Sequence, residues 1–192
     1  MMFGQNPGTN GTANEIPLAS IGAELGVWKG DSSAKFLDRA IHIHLVDSWS
    51  PVAYEESDEW GDYDAYLDRY SKLVGSNDPK AFIKYYDKIY EDVVKRFSNK
   101  PVTIHRMTTN EWFESFDKQL DWIYVDASHS YDGVLNDLRR SWKLIKIGGV
   151  LFGDDFSDKK AAVKKAVKDF SAEIGVPIDN FYMDQFRIKK LI

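Results

Sequence analysis

The chain has 192 residues, no cysteine and a net charge of −5, with a pI near 5.4. That length fits one domain with a substantial core, and the lack of cysteine excludes disulfides and thiolate metal sites and suits a cytoplasmic protein. The acidic balance argues against a nucleic-acid partner, and no apolar run of about 18 residues is present to span a membrane.

Residues 1–14 are rich in Gly, Asn and Thr and lack the apolar centre of a signal peptide, so they read as a polar tail. Ile21 to Val27 reads as a short buried strand. Asp31-Ser32 is placed to cap a helix with Ala34, Leu37 and Ala40 at helical spacing. Ile41 to Val46 forms a second strand that ends in Asp47. His42 and His44 alternate with apolar residues on it; they read, like His105, as satisfied core histidines under helical cover rather than ligands.

Residues 50–98 are too long for one crossover and read as a helical insertion between strands two and three. Asp78-Pro79 starts a helix with Phe82, Tyr86, Ile89, Tyr90, Val93 and Phe97 on one stripe. Before it, Trp49 to Gly75 carries Tyr54, Trp60, Tyr63, Tyr66 and Tyr70 among many acids. The aromatics suit packing, as a helical cap or a homo-oligomer contact, with the acids as a solvated face; a substrate platform is the other reading. As a long insertion, Trp49 to Gly75 is expected to be a mobile lid over the site.

Val102 to Met107 is strand three, and Asn110 caps a short helix with Phe113 and Phe116 inward. Trp122 to Asp126 is strand four. Tyr131, Val134, Leu135, Leu138, Trp142 and Ile145 mark a helix ending at Gly148-Gly149. Val150 to Phe152 is strand five, and Asp158 caps a helix with Val163, Ala166, Val167 and Phe170 on one side. Two short strands joined around Asp184-Gln185 close the chain and must be antiparallel, because a parallel crossover needs more residues. The alternation gives a single α/β domain, Rossmann-like and doubly wound, with a mainly parallel sheet.

Chemistry concentrates at strand ends. A glycine-bearing turn, Glu24-Leu25-Gly26-Val27-Trp28-Lys29-Gly30, followed about twenty residues on by a strand-end acid, Asp47, is the pattern that holds a nucleoside. Gly26-x-x-x-Gly30 lacks the G-x-G-x-x-G spacing of a nicotinamide dehydrogenase. Asp126-Ala127-Ser128-His129 and Gly153-Asp154-Asp155 put three acids and a histidine at the ends of two further strands. Such acids can hold Mg²⁺, which acidifies a hydroxyl that a neighbouring His deprotonates. Equally, Asp154-Asp155 can be a loop and helix cap, and His129 a hydrogen-bonded residue at a helix start.

Together these segments resemble class I S-adenosylmethionine-dependent methyltransferases, and more narrowly the macrocin-type sugar and small-molecule O-methyltransferases, from about Ile21 to the C-terminus without the insertion. The resemblance implies a seven-stranded sheet with an antiparallel last strand. It implies S-adenosylmethionine bound by Glu24, Gly26, Gly30, Asp47 and Asp126, with Met107 and Thr108 near the adenine. It further implies a divalent cation, Mg²⁺, on Asp126, Asp154 and Asp155, with His129 as base beside Asp126, and a small-molecule acceptor such as a sugar. A metal-independent methyltransferase and a non-catalytic binding module on the same fold are the alternatives.

Overall fold

The structure is a computed structural model that describes residues 7–51 and 63–191. Strands β1 (Ser20–Leu25), β2 (Ala40–Asp47), β3 (Val102–Arg106), β4 (Leu120–Val125) and β5 (Ile145–Gly153) pair in parallel. A closing hairpin of β6 (Asp179–Tyr182) and β7 (Gln185–Lys189) adds to β5 through antiparallel β7. The seven strands lie in the order β3-β2-β1-β4-β5-β7-β6. Chain direction across the sheet therefore reverses between β1 and β4, the crevice where open α/β sheets take ligands.

Among the described residues, seven α-helices accompany the sheet: α1 (Pro7–Glu15), α2 (Asp31–Phe36), α3 (Tyr63–Val74), α4 (Pro79–Phe97), α5 (Thr109–Ser115), α6 (Tyr131–Leu144) and α7 (Ala161–Ile174). Period-two alternation sends β4 side chains to both faces. Ile123 and Val125 join a core with α5, α6 and α7, whereas Trp122 and Tyr124 join another with α1, α2 and α4. No helix among the described residues is long and apolar enough to cross a membrane.

Several local readings shift. The polar tail contains α1, whose Thr9 and Thr12 are buried together with Ile16 just beyond it. Its hold is tertiary: Glu15 pairs with Arg187 at 2.7 Å, and a Cβ on Gly11 would strike the Tyr182 ring. Gly30, at φ 75, precedes α2, with Asp31 in the first turn and no side-chain cap. Thr108, not Asn110, caps α5 through a capping box with Glu111. Asp158 opens a 3₁₀ turn and pairs with Lys164 at 2.7 Å; it caps no helix. Helix α6 passes directly into β5 at Ile145, and Gly148-Gly149 lie inside that strand, bonded to Lys190.

The insertion supplies α3 and α4. Tyr66 and Leu67 of α3 bury against Phe82 and Tyr86 of α4, so packing accounts for these aromatics, while Asp64 and Asp68 are exposed. Tyr54 and Trp60, with the acids around them, lie outside the described residues. Helix α4 braces the glycine turn: Arg96 donates to the Lys29 carbonyl (2.8 Å) and Asp31 (2.6 Å), and Tyr86 meets the Trp28 ring edge-on at 5.6 Å. The three strand histidines are hydrogen-bonded as expected but only half-buried. Burial and the neighbouring imidazoles lower His44 to about 4, and burial also lowers His105.

Candidate active site

The site forms where the carboxyl ends of β1, β2, β4 and β5 meet. Backbone bonds stitch these ends together: Gly26 N–H to Val46 O at 2.9 Å, Asp126 N–H to Leu25 O at 2.8 Å and Asp154 N–H to Val125 O at 3.2 Å. Gly26, at φ 88, has a reason beyond its turn. A Cβ there would lie 2.0 Å from the Asp126 carbonyl oxygen, so only glycine lets β1 and β4 close at the switch point.

Asp47 is engaged with protein backbone. Its Oδ2 accepts from Val27 N–H (3.0 Å) and Trp28 N–H (2.8 Å), and its Oδ1 from Trp49 N–H (2.7 Å). Trp28 and Trp49 both sit in left-handed backbone, at φ 52 and 40, and the Trp49 indole donates to the Trp28 carbonyl. The acid thus ties the loop after β1 to the loop after β2. Burial pushes its carboxyl up despite these three amides. A carboxylate offers about four lone-pair directions, which leaves room for a ribose hydroxyl.

Glu24 is sealed from solvent beneath the glycine turn and accepts from Ser32 and Ser33 of α2. Burial pushes it up to about 8, against the two hydroxyls and with the charges of Asp126 and Asp47 adding to the rise. It anchors α2 under the turn and does not present itself to the cleft. Met107 donates its backbone N–H to the Asp47 carbonyl, and the Thr108 side chain is occupied in the α5 cap.

At the ends of β4 and β5, one ligand atom each from Asp126, His129 and Asp155 falls within 4.8 Å of the others. His129 Nε2 lies 2.7 Å from Asp155 Oδ2 and 3.7 Å from Asp126 Oδ1, and Lys160 Nζ lies 3.3 Å from the same Asp155 oxygen. Burial raises the Asp126 carboxyl, and His129 counters this in part. Burial also acts upward on Asp155, but the hydrogen bond and charge of His129 and the Lys160 ammonium outweigh it, leaving that acid below its usual range.

Asp154, expected beside Asp126 and Asp155 as a ligand, falls outside this group. It is buried, takes the Asp155 N–H on Oδ1 at 2.7 Å and faces the Tyr124 hydroxyl at 3.4 Å on Oδ2. Burial, then the Asp126 charge, pushes it up to about 7. The turn that separates the two acids puts Asp155 at φ 62, so adjacent carboxylates face different ways.

Two carboxylates and an imidazole suit a divalent cation. They equally make an imidazole base oriented by a carboxylate. Sequence reasoning missed Ser32, Ser33, Tyr124 and Lys160. Only Ser32-Ser33, a polar pair opening a helix next to a buried acid, carried a local signal.

A family model described as a methyltransferase domain matches residues 23–156. No curated protein sequence matches the chain. Among solved structures, an rRNA methylase from Streptococcus thermophilus aligns over 100% of both chains, with 11% identity and a TM-score of 0.62. SMU.1697c from Streptococcus mutans, in complex with SAH, covers 97% of this chain and 99% of its own, with 12% identity and a TM-score of 0.58. The O-methyltransferase NovP covers 95% of this chain and 76% of its own, with 14% identity and a TM-score of 0.57. The chain spans 46% of the length of Trm5b from Pyrococcus abyssi.

The expectation of no nucleic-acid partner is corrected here: a fold this close to an rRNA methylase leaves RNA open as an acceptor. Net charge sums over the whole surface, whereas an acceptor meets only one part of it. The matched stretch begins inside β1 and ends just past the Asp154-Asp155 pair, taking in the end of β1 and all of β2 to β5, and the chain belongs to the S-adenosylmethionine-dependent methyltransferases.

Proposed function

We propose that this enzyme is an O-methyltransferase that acts on a hydroxyl of a small molecule, a sugar among the candidates, in the cytoplasm. The observation that carries the reading is the Asp126–His129–Asp155 cluster at the mouth of the β1/β4 crevice. Asp155, 2.7 Å from His129 Nε2, accepts that nitrogen's N–H and orients the ring, so the other ring nitrogen, Nδ1, takes the acceptor's hydroxyl proton and Asp155 stabilises the imidazolium that results. Asp47 and the braced glycine turn hold the nucleoside end, and the acid-rich mouth suits the positive charge of the cofactor. Bound S-adenosylmethionine supplies an activated methyl: the acceptor oxygen bonds the methyl carbon as the carbon–sulfur bond breaks, and neutral S-adenosylhomocysteine is released. Alignment is the main demand of such a displacement.

Asp126, His129 and Asp155 are the residues that would hold a divalent cation, which would lower the pKa of the acceptor hydroxyl. This support is a donor set of suitable chemistry, and it replaces Asp154 with His129 in the expected ligand group. A second reading, methyl transfer to RNA, draws on the full-length likeness to an rRNA methylase.

The test uses S-adenosylmethionine carrying a labelled methyl group with three acceptor pools: sugar nucleotides, catechols and total RNA, each with and without EDTA. Label in a hydroxylated small molecule, lost in EDTA and reduced about 10²–10⁴-fold in His129→Ala, is the expected result. Label in RNA alone selects the second reading. Full transfer in EDTA removes the metal and leaves His129 with Asp155 as the working pair. A chain that binds no S-adenosylhomocysteine by calorimetry would sink both.

A further inference from the structure

Lysines crowd the start of α7, and one of them turns into the site. Lys164 pairs with Asp158 and Lys165 with Asp169, while Lys159 is exposed. Lys160 closes the 3₁₀ turn Asp158–Lys160, with its backbone N–H on the Ser157 carbonyl at 3.1 Å. Its Nζ lies 3.3 Å from Asp155 Oδ2, the same oxygen that His129 Nε2 meets at 2.7 Å. The Lys160 and Asp155 side chains keep 33% and 28% of their surface exposed, so the ammonium can leave the acid for water.

We propose that Lys160 is the resident counter-cation of the Asp126–His129–Asp155 cluster and competes with a divalent cation for Asp155: its ammonium holds that carboxylate in the metal-free protein, and metal uptake displaces it. The inference rests on the cation reading of the cluster given above and adds the residue that sets how tightly the ion is held.

Charge carries the argument. Asp126 and Asp155 bring two acids into one half-buried space, where like charges repel. The Lys160 charge reaches both and draws each carboxyl down against the effect of burial, behind the larger pull of His129. A divalent cation supplies the same neutralisation, so an ion and an ammonium contend for one carboxylate, and the sulfonium of the cofactor adds a further positive charge to the crevice. The imidazole faces a matching choice. With its Nε2–H on Asp155 it is a donor; to hold a metal through that nitrogen it must offer a lone pair there. Metal uptake thus replaces both donors on Asp155 Oδ2.

A loop staple is the competing account, in which the pair only ties the 3₁₀ turn to the end of β5. The two accounts differ in sign. Loss of a staple loosens Asp155 and weakens the ion's hold, whereas loss of a competitor tightens it.

The experiment titrates Mn²⁺, which suits carboxylate ligands, calorimetrically into the full chain and into Lys160→Met, Lys160→Arg and Lys159→Met, each first shown by circular dichroism to be folded. Lys160→Met should bind Mn²⁺ about 5–150-fold more tightly than the native chain, the usual span of coupling between two ligands of one protein. Lys160→Arg, which keeps the charge, and Lys159→Met, which removes an exposed charge one residue away, should both stay near the native affinity. Without metal, Lys160→Met should melt below the native chain, and Mn²⁺ should raise its melting temperature by more. Should Lys160→Met fail to fold, Lys160→Gln takes its place. Equal or weaker Mn²⁺ affinity in the neutral variant, the same tightening in Lys159→Met or Lys160→Arg, or no uptake by the native chain and the neutral variant alike would each overturn the proposal. S-adenosylhomocysteine titrated into the same samples separates the two readings. Binding of it with Mn²⁺ affinity unchanged in Lys160→Met overturns the role of Lys160 and leaves methyl transfer standing; tighter Mn²⁺ without it supports Lys160 and sinks methyl transfer.

Discussion

Asp47 shows how one side chain ties two loops together at the mouth of the crevice. Three backbone N–H groups converge on it, two of them from tryptophans in left-handed backbone. Such backbone costs an L-residue roughly 1–2 kcal/mol, so the two loops need an external partner to hold their shape. Asp47→Ala removes that partner and leaves three amides without their acceptor. Hydrogen bonds to a charged group are worth about 1.5–3 kcal/mol each. The variant should lose ~2 kcal/mol or more of stability in urea denaturation, and should bind S-adenosylhomocysteine at least about tenfold more weakly by calorimetry. An unchanged denaturation midpoint would mean that the loops hold themselves.

At the scale of elements, the β1/β4 junction and helix α4 together define the cleft. Gly26 and Gly148 both have positive φ, at 88 and 85, but their surroundings differ. A Cβ on Gly26 meets the Asp126 carbonyl at 2.0 Å, and a Cβ on Gly148 meets nothing within 4 Å. Gly148→Ala should therefore cost only the conformational penalty of about 1–2 kcal/mol. Gly26→Ala must also push two paired strands apart, and it should cost clearly more or prevent folding. Thermal denaturation of both variants separates the cases: equal losses would show that conformation alone demands glycine at Gly26. On the other side of the turn, Arg96, Tyr86 and Phe97 of α4 make the insertion a brace for residues 26–31.

Over the whole molecule, buried acids shape the response to pH. Asp137 of α6 is buried, accepts from the Thr109 hydroxyl at 2.8 Å and has no hydrogen-bond partner for Oδ2 among the described residues. Burial pushes it up to about 7, with Thr109 and the Arg140 charge opposing. Between about pH 4 and 7 the folded chain holds a proton there that the unfolded chain has lost, so this group's contribution falls as pH rises through that window. Glu24, pushed up to about 8, acts in the same direction. His44, lowered to about 4, acts in the opposite one, but only below its unfolded value of about 6.5. Asp137→Asn keeps an acceptor for Thr109 and removes the charge. It should add about 1–3 kcal/mol at pH 8 and little at pH 4. Urea denaturation at the two pH values tests this, and an equal effect at both would place the cost in packing and not in ionisation.

The sequence by itself determined the alternation of strands and helices, the antiparallel close and the glycine turn with Asp47 after it. These rest on local periodicity and on backbone conformations that few residues adopt, and both are written in neighbouring positions. It also placed Asp126, His129 and Asp155 at strand ends. The tertiary structure decided what a strand end does. Which of two adjacent acids faces His129 depends on the φ of 62 at Asp155 and on the Tyr124 hydroxyl from another strand. The three amides on Asp47 come from loops that meet only when β1 and β2 pair. Helix α1 is the clearest case: buried Thr12 donates to Gln185, 173 positions further along the chain, at 2.8 Å. Such a contact leaves no periodic trace in the residues around Thr12, because the surface that buries the helix is built from the opposite end of the chain.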